Sequence, residues 1–170
     1  MAVEFTQEVT SRLESDQYGW LTTVAKSGQP VPRLVWFYFD GADVIVYSMP
    51  NAAKVRHIKA HPQVSLNLDS DGNGGGIIVV GGVAAVQATD VDCHDDEPYW
   101  AKYSDEAAKF GLTEAMTSYS TRLRVTPTKV WTTLTGQGRQ RKSRDFDPTA
   151  RVMRPSRSAK TVTAPLAFST

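Results

Sequence analysis

Val31-Pro32-Arg33-Leu34-Val35-Trp36-Phe37-Tyr38-Phe39-Asp40-Gly41-Ala42-Asp43-Val44-Ile45-Val46-Tyr47-Ser48 is the stretch on which the fold turns. Up to Phe39 it is strongly apolar and rich in aromatic and β-branched residues. Only Pro32 and Arg33 interrupt it, near a strand start, where a missing ladder donor is tolerated. Asp40-Gly41 is the strongest two-residue hairpin signal in the chain, so a strand Val31–Phe39 is expected to turn back into Asp43–Ser48. Upstream, Trp20–Ala25 has the same strand-forming composition, and Lys26-Ser27-Gly28-Gln29 is a turn with Gly28 free to take a positive φ. Three antiparallel strands in a row are therefore expected.

Outward from that block the pattern alternates between strands and short helices. Thr6 is placed to N-cap a helix Gln7–Ser15 whose Val9 and Leu13 share a face. Downstream of Tyr47, the loop Ser48-Met49-Pro50-Asn51 leads into a helix Ala52–Ala60, which stops at His61-Pro62 because the residue before proline disfavours the helical region. Gln63–Asp69 alternates, with Val64, Leu66 and Leu68 on one face. A glycine-rich loop, Asp71–Gly76, precedes a long strand Ile77–Thr89. The Gly81-Gly82 pair inside that strand predicts a bulge or a close backbone approach. Asp90–Asp105 is acidic, with Pro98 near a helix start and Tyr99, Trp100 and Tyr103 as apolar anchors. A short helical stretch Thr113–Tyr119 follows, then strands Arg122–Thr126 and Lys129–Thr135 joined at Pro127. The strands succeed one another in hairpin order and not as βαβ repeats. The expected fold is mainly β: a closed or nearly closed antiparallel barrel of six or seven strands with short peripheral helices. Residues 1–146 form this single domain, and the basic 147–170 segment is expected to be a disordered tail.

Bulk composition narrows the function classes. The chain has 170 residues, 41% apolar and 22% charged, with a net charge of +1. It is large enough for a real core and carries no global field toward nucleic acid or a membrane. The longest apolar run, Ile77–Val86, is about half of the ~20 residues a membrane span needs, and no signal peptide is expected. One cysteine, Cys93, excludes an internal disulfide framework and fits a cytoplasmic setting. Asp92-Cys93-His94-Asp95-Asp96-Glu97 contains possible metal ligands, but it reads better as an acidic helix start, so no metal is expected. The glycines of Gly72–Gly76 precede a strand, the wrong order for a phosphate loop. No nucleophile elbow or paired carboxylates stand out, so an enzyme of this description would rely on a cofactor.

The informative anomaly is Lys54. A cation in the first turn of a helix opposes the positive end of the helix dipole. With Ser48 and Asn51 before it and Arg56, His57 and Lys59 behind, the arrangement makes sense around an anion, most simply a phosphate.

The run Pro32–Gly41, then Val44–Ser48, then Asn51-Ala52-Ala53-Lys54-Val55-Arg56-His57-Ile58-Lys59-Ala60-His61-Pro62-Gln63-Val64-Ser65-Leu66, resembles the pyridoxamine 5'-phosphate oxidase-like flavin and deazaflavin reductases. The likeness extends over roughly residues 6–135. It implies an FMN-binding type of split barrel working as a homodimer, with the cofactor at the subunit interface. It further implies that Lys54 and Arg33 contact the cofactor phosphate, helped by Ser48 and the loop around Asn51, and that Val35, Trp36 and Tyr47 lie along the ring. Ala53 stands where pyridoxamine-type oxidases have a basic residue, and Gly76 where they have a glutamine. These departures place the chain closer to the actinobacterial branch that uses the 8-hydroxy-5-deazaflavin coenzyme, F420. The function implied is hydride transfer from that reduced coenzyme to a conjugated small-molecule acceptor. The alternatives are an FMN-dependent oxidoreductase of the same family and a non-catalytic flavin-, deazaflavin- or haem-binding protein. Arg56, Lys59 and the Arg139–Arg144 cluster are candidates for the oligoglutamate tail of the deazaflavin coenzyme.

Overall fold

The computed structural model describes residues 3–133; the expectations for the Arg139–Arg144 cluster, for a domain boundary at 146 and for a tail over 147–170 lie outside them. The elements are α1 (Gln7–Ser15), β1 (Tyr18–Val24), β2 (Pro30–Trp36), β3 (Tyr38–Phe39), β4 (Val44–Ser48), α2 (Ala53–Ala60), β5 (Gln63–Asn67), β6 (Ile77–Ala88), α3 (Glu97–Lys109) and β7 (Thr121–Thr133), with 3-10 turns at Cys93–Asp95 and Ala115–Ser118. The strands make one seven-stranded sheet in the order β2-β1-β5-β6-β7-β4-β3, and every neighbouring pair is antiparallel.

That order contains the proof of closure. β2 and β3 lie at opposite ends of the sheet, yet a single residue, Phe37, separates them in sequence. A sheet whose two edges are one continuous stretch of chain must curl round on itself, and the result is a split barrel. The single strand expected over Val31–Phe39 is therefore two strands, each paired to a different neighbour. The break has a visible cause. The Phe37 N–H donates to Tyr103 Oη at 2.8 Å. Its carbonyl accepts from Lys102 Nζ at 3.1 Å and from the Tyr103 hydroxyl at 2.5 Å, a proton shared with the Gln17 carbonyl at 2.7 Å. Side chains of α3 thus take both backbone groups that a strand ladder would otherwise use.

The hairpin at Asp40-Gly41 forms as expected. Gly41 has φ +96°, and Asp40 Oδ1 accepts from the amides of Ala42 and Asp43 at 3.0 and 2.7 Å. Gly19, just ahead of the strand expected from Trp20, lies inside β1. A Cβ there would stand 2.7 Å from Leu66 Cδ1, so glycine allows β1 and the core to approach. The predicted bulge at Gly81-Gly82 is present: Gly81 pairs with Lys129 and Gly82 with Pro127, leaving Thr128 as the extra residue. Its Oγ1 donates to the Gly81 carbonyl at 3.3 Å. Pro127 sits at this irregularity, where no ladder donor is called for, so β7 runs through it as one strand and not as two.

The barrel interior is filled by Leu21, Val35, Phe37, Phe39, Val44, Val46, Leu66, Ile78, Val80, Leu123 and Val125. α1 closes one side with Val9 and Leu13, its N-terminus capped by Thr6 Oγ1 accepting from the Val9 amide. β4 is buried at every position. Val44, Val46 and Ser48 pair with Val125, Leu123 and Thr121 on the inner face, while Ile45 and Tyr47 pack under α3 with Cys93, Tyr99, Tyr103 and Met116 in a second cluster. Among the described residues no helix is long and apolar enough to cross a membrane.

Candidate functional site

Between these two clusters lies a cavity of about 240 Å3. Strands β2 and β4 supply one wall through Leu34, Val35, Trp36 and Tyr47. Tyr99 of α3, with Leu112, Met116 and Tyr119 from the following turn, supplies the other, and Lys54 stands at the edge. Trp36 is fixed by stacking on Tyr103, ring centres 4.7 Å apart and planes within 6°. Tyr47 packs against Tyr99 at 4.6 Å, and its hydroxyl donates to Asp96 Oδ2 at 2.8 Å. Asp96 is held in turn by Arg122 Nε at 3.0 Å. Burial, and then the Asp96 carboxylate, push the Tyr47 hydroxyl above its usual pKa, so it stays a donor to Asp96.

The electrostatics of the edge centre on Lys54. α2 begins at Ala53, with Ala52 as an N-cap that makes no side-chain bond and no acid in the first turn. The ammonium is half-buried, and its hydrogen-bond partner among the described residues is the buried hydroxyl of Ser48, 3.4 Å away. No carboxylate among those residues lies within salt-bridge distance of it. Burial, and after it repulsion from Arg33, lower the lysine pKa. A desolvated cation beside helix amides that no side chain caps, with a second cation near, is an arrangement chemically suited to accept an anion.

Of the seven residues picked out from the sequence, Val35, Trp36, Tyr47 and Lys54 line the one cavity. Ser48 lies under the Lys54 ammonium, and Arg33 is exposed on β2 but close enough to repel Lys54. Asn51 stands apart: it is exposed, and its contribution to the described contacts is a backbone carbonyl accepting from Arg56 Nη1 at 2.9 Å. The sequence reading did not assign the α3 wall to the site. Tyr99 was visible as an apolar anchor, but nothing local says that the helix folds back over β4.

The acidic segment has a different organisation. Asp92 Oδ1 accepts from the His94 amide at 3.0 Å and pairs with the His94 ring. The Cys93 thiol is buried, donates to the Met116 carbonyl at 3.4 Å, and is pushed up to about 11 mainly by burial. The carboxylate, thiol and ring nitrogen lie within 4.8 Å of one another, but each is engaged within the fold. A groove of about 370 Å3 runs along Asp90, Asp92, Asp95, Asp96 and Arg122 and shares Tyr47 with the cavity.

Gly76, at the position matched to a glutamine, has φ +63° and its carbonyl accepts from Arg12 Nη1 at 3.2 Å. It serves the turn into β6, a conformation that a glutamine would strain.

Comparison with solved structures places this geometry among known folds. An F420 reductase superposes with a TM-score of 0.57 at 28% identity, covering 76% of this chain and 98% of that one. An FAD-binding protein from Mesorhizobium loti gives 0.55 at 26% identity, over 72% and 87% of the two chains. HutZ, the haem storage protein of Vibrio cholerae, gives 0.54 at 18% identity over 78% and 95%, a likeness of fold alone. Among curated proteins no sequence match was found. The sequence model described as pyridoxamine 5'-phosphate oxidase matches residues 5–134, the whole of the barrel with its cavity, and the chain belongs to that family.

Proposed function

We propose that this protein is a deazaflavin-dependent oxidoreductase that passes a hydride from reduced coenzyme F420 to a conjugated small-molecule acceptor. The observation that carries the reading is Lys54, a half-buried ammonium at an uncapped helix N-terminus, with no carboxylate partner among the described residues, at the edge of an aromatic cavity. A phosphate there would accept from Lys54, from Arg33 and from the first amides of α2, with Ser48 holding the ammonium in place. Asn51 would join through its side chain from the loop. Val35, Trp36 and Tyr47 would carry the ring, and Tyr47 is braced for that by Asp96 and Arg122. When bound, the reduced coenzyme supplies the hydride from C5 of its ring. The residues of the chain bind, orient and exclude water, and solvent supplies the accompanying proton. The 28% identity to an F420 reductase supports this choice of cofactor. The FAD-binding neighbour at 26% supports the FMN alternative, in which the same residues hold a flavin phosphate.

The reading includes a cytoplasmic homodimer with the cofactor between subunits. One row across the outer sheet face supports it: Leu34, Trp20, Asn67, Val79 and Trp131 pair in succession over β2, β1, β5, β6 and β7. Leu34, Trp20 and Trp131 are 51%, 44% and 48% exposed, a large apolar surface for a free monomer, and it starts at the cavity rim.

Titration of the purified protein with oxidised F420 and with FMN, read by ring fluorescence, tests the choice of cofactor. Tighter binding of the deazaflavin is expected, and far tighter binding of FMN would overturn it. Lys54→Ala should weaken coenzyme binding by ~1.5–3 kcal/mol, the range for a charge-assisted hydrogen bond. An unchanged affinity would remove the phosphate assignment.

A further inference from the structure

The outer wall of the cavity hangs from one short turn. Leu112, Met116 and Tyr119 belong to the connection between α3 and β7, and within Thr113–Tyr119 the buried residue is Met116. Among the described residues, two hydrogen bonds reach Thr113–Tyr119 from outside that connection. The Cys93 thiol donates to the Met116 carbonyl at 3.4 Å, and His94 Nε2 lies 3.1 Å from the Thr113 carbonyl oxygen. An exposed segment with so few anchors opens locally at low cost.

His94 cannot make both of its ring bonds while neutral. Its other nitrogen, Nδ1, pairs with Asp92 Oδ1, which also accepts from the His94 amide at 3.0 Å. That amide, and the ring after it, hold the Asp92 carboxyl below the usual carboxylate range, so it is ionised and has no proton to give. The Thr113 carbonyl has none either. Each ring nitrogen thus faces a pure acceptor, and only the imidazolium carries a proton on both. A neutral ring must point a lone pair at one oxygen and lose that bond. The ring is partly exposed and rests on Trp100, centres 4.0 Å apart, so it exchanges protons with solvent. We propose that His94 is a pH-operated latch: its charged ring fastens the connection and closes the outer wall of the cavity, and its neutral ring releases it. The surrounding groups do not change charge over histidine's range of about pH 5 to 8. Asp92 stays ionised, and the Cys93 thiol, pushed up to about 11 mainly by burial, stays protonated. From α3 the ring meets Trp100 and from the connection a carbonyl, neither of which titrates. Asp96 is tied to Tyr47 and Arg122, and the next charges along the chain, Asp95 and Glu114, are negative. The wall is therefore fastened at the acid end of that range and has lost an anchor at the alkaline end. This holds whatever molecule occupies the cavity.

Amide hydrogen exchange on the purified full chain without coenzyme, stepped across that range of pH, tests the latch. The bonded amides of the connection are those of Met116, Thr117 and Tyr119. Corrected for the intrinsic base-catalysed rate, their protection should fall about tenfold from the acid to the alkaline end, as for one hydrogen bond to a charged group. Nitrogen NMR of the His94 ring shows whether one or both nitrogens carry a proton, and it should titrate with the same midpoint. His94→Gln carries a neutral amide that donates equally at every pH, so its protection should not depend on pH. Asp92→Asn keeps an Oδ1 acceptor but removes the opposite charge, and should move both midpoints to lower pH. Wild-type protection that does not change overturns the proposal, and so does an equal fall in His94→Gln or a ring midpoint that differs from that of protection. Should His94→Gln fail to fold, Asp92→Asn decides, and an unmoved midpoint there overturns the latch. Because no coenzyme is present, these outcomes are independent of the F420 and FMN titrations.

Discussion

A lysine that has given up water without gaining a carboxylate should respond to pH in a defined direction. Burial and Arg33 lower the Lys54 pKa, so its charge is lost at a lower pH than that of an ordinary lysine. Affinity for a phosphate-bearing coenzyme should therefore fall as pH rises through that lowered pKa, with binding taking up a proton in the same window. Calorimetry in buffers of different ionisation enthalpy measures the uptake. Lys54→Arg, charged at all practical pH, should bind with no proton uptake in that window. Lys54 was legible in the sequence because its conflict with the helix dipole is local, a matter of one residue and the turn it occupies. The α3 wall with Tyr99 was not, since its fold over β4 is set by bonds to residues distant in sequence, Tyr103 to Phe37 and Gln17 and Tyr47 to Asp96.

The elements show the same division. α1 appears with the expected bounds because Thr6 and the Val9–Leu13 spacing act within one helix. The hairpin at Asp40-Gly41 and the bulge at Gly81-Gly82 are likewise set by residues next to one another. The division of Val31–Phe39 at Phe37 could not be read in this way. Every residue from Val35 to Phe39 favours a strand, and the interruption comes from Tyr103 and Lys102, more than sixty positions downstream. The continuity of β7 through Pro127 is a second case, since it depends on the partner strand's glycines. Tyr103→Phe tests the first. The Phe37 amide would be left buried without its partner, at a cost of about 1–3 kcal/mol. Urea unfolding should show the loss with the slope unchanged, since the barrel and its buried surface remain.

At the level of the whole molecule the apolar row from Leu34 to Trp131 is the feature that the described residues leave uncovered. A self-associating face of standard size buries about 800 Å2 per subunit, and bulky side chains at its centre dominate the energy. Trp20→Glu should shift the protein toward the monomer in light scattering and weaken coenzyme binding with it, if the second subunit completes the site. Trp20 and Leu34 are opposite one another on adjacent strands, so a charge there meets the two bulky apolar side chains at the cavity end of the row. A monomeric wild type would remove this part of the reading.

The single residue that joins the two sheet edges also ties together the fate of the cavity's walls. To pull β2 away from β3 is to draw Phe37 from under Tyr103, and Tyr103 lies on the same helix that presents Tyr99. Splaying of the barrel and release of α3 thus become one cooperative opening, not two independent loosenings. The ring-bearing wall and the wall facing it would be lost and regained together. In native-state hydrogen exchange, the Tyr103→Phe variant should speed the amides of β2 and of α3 by the same factor.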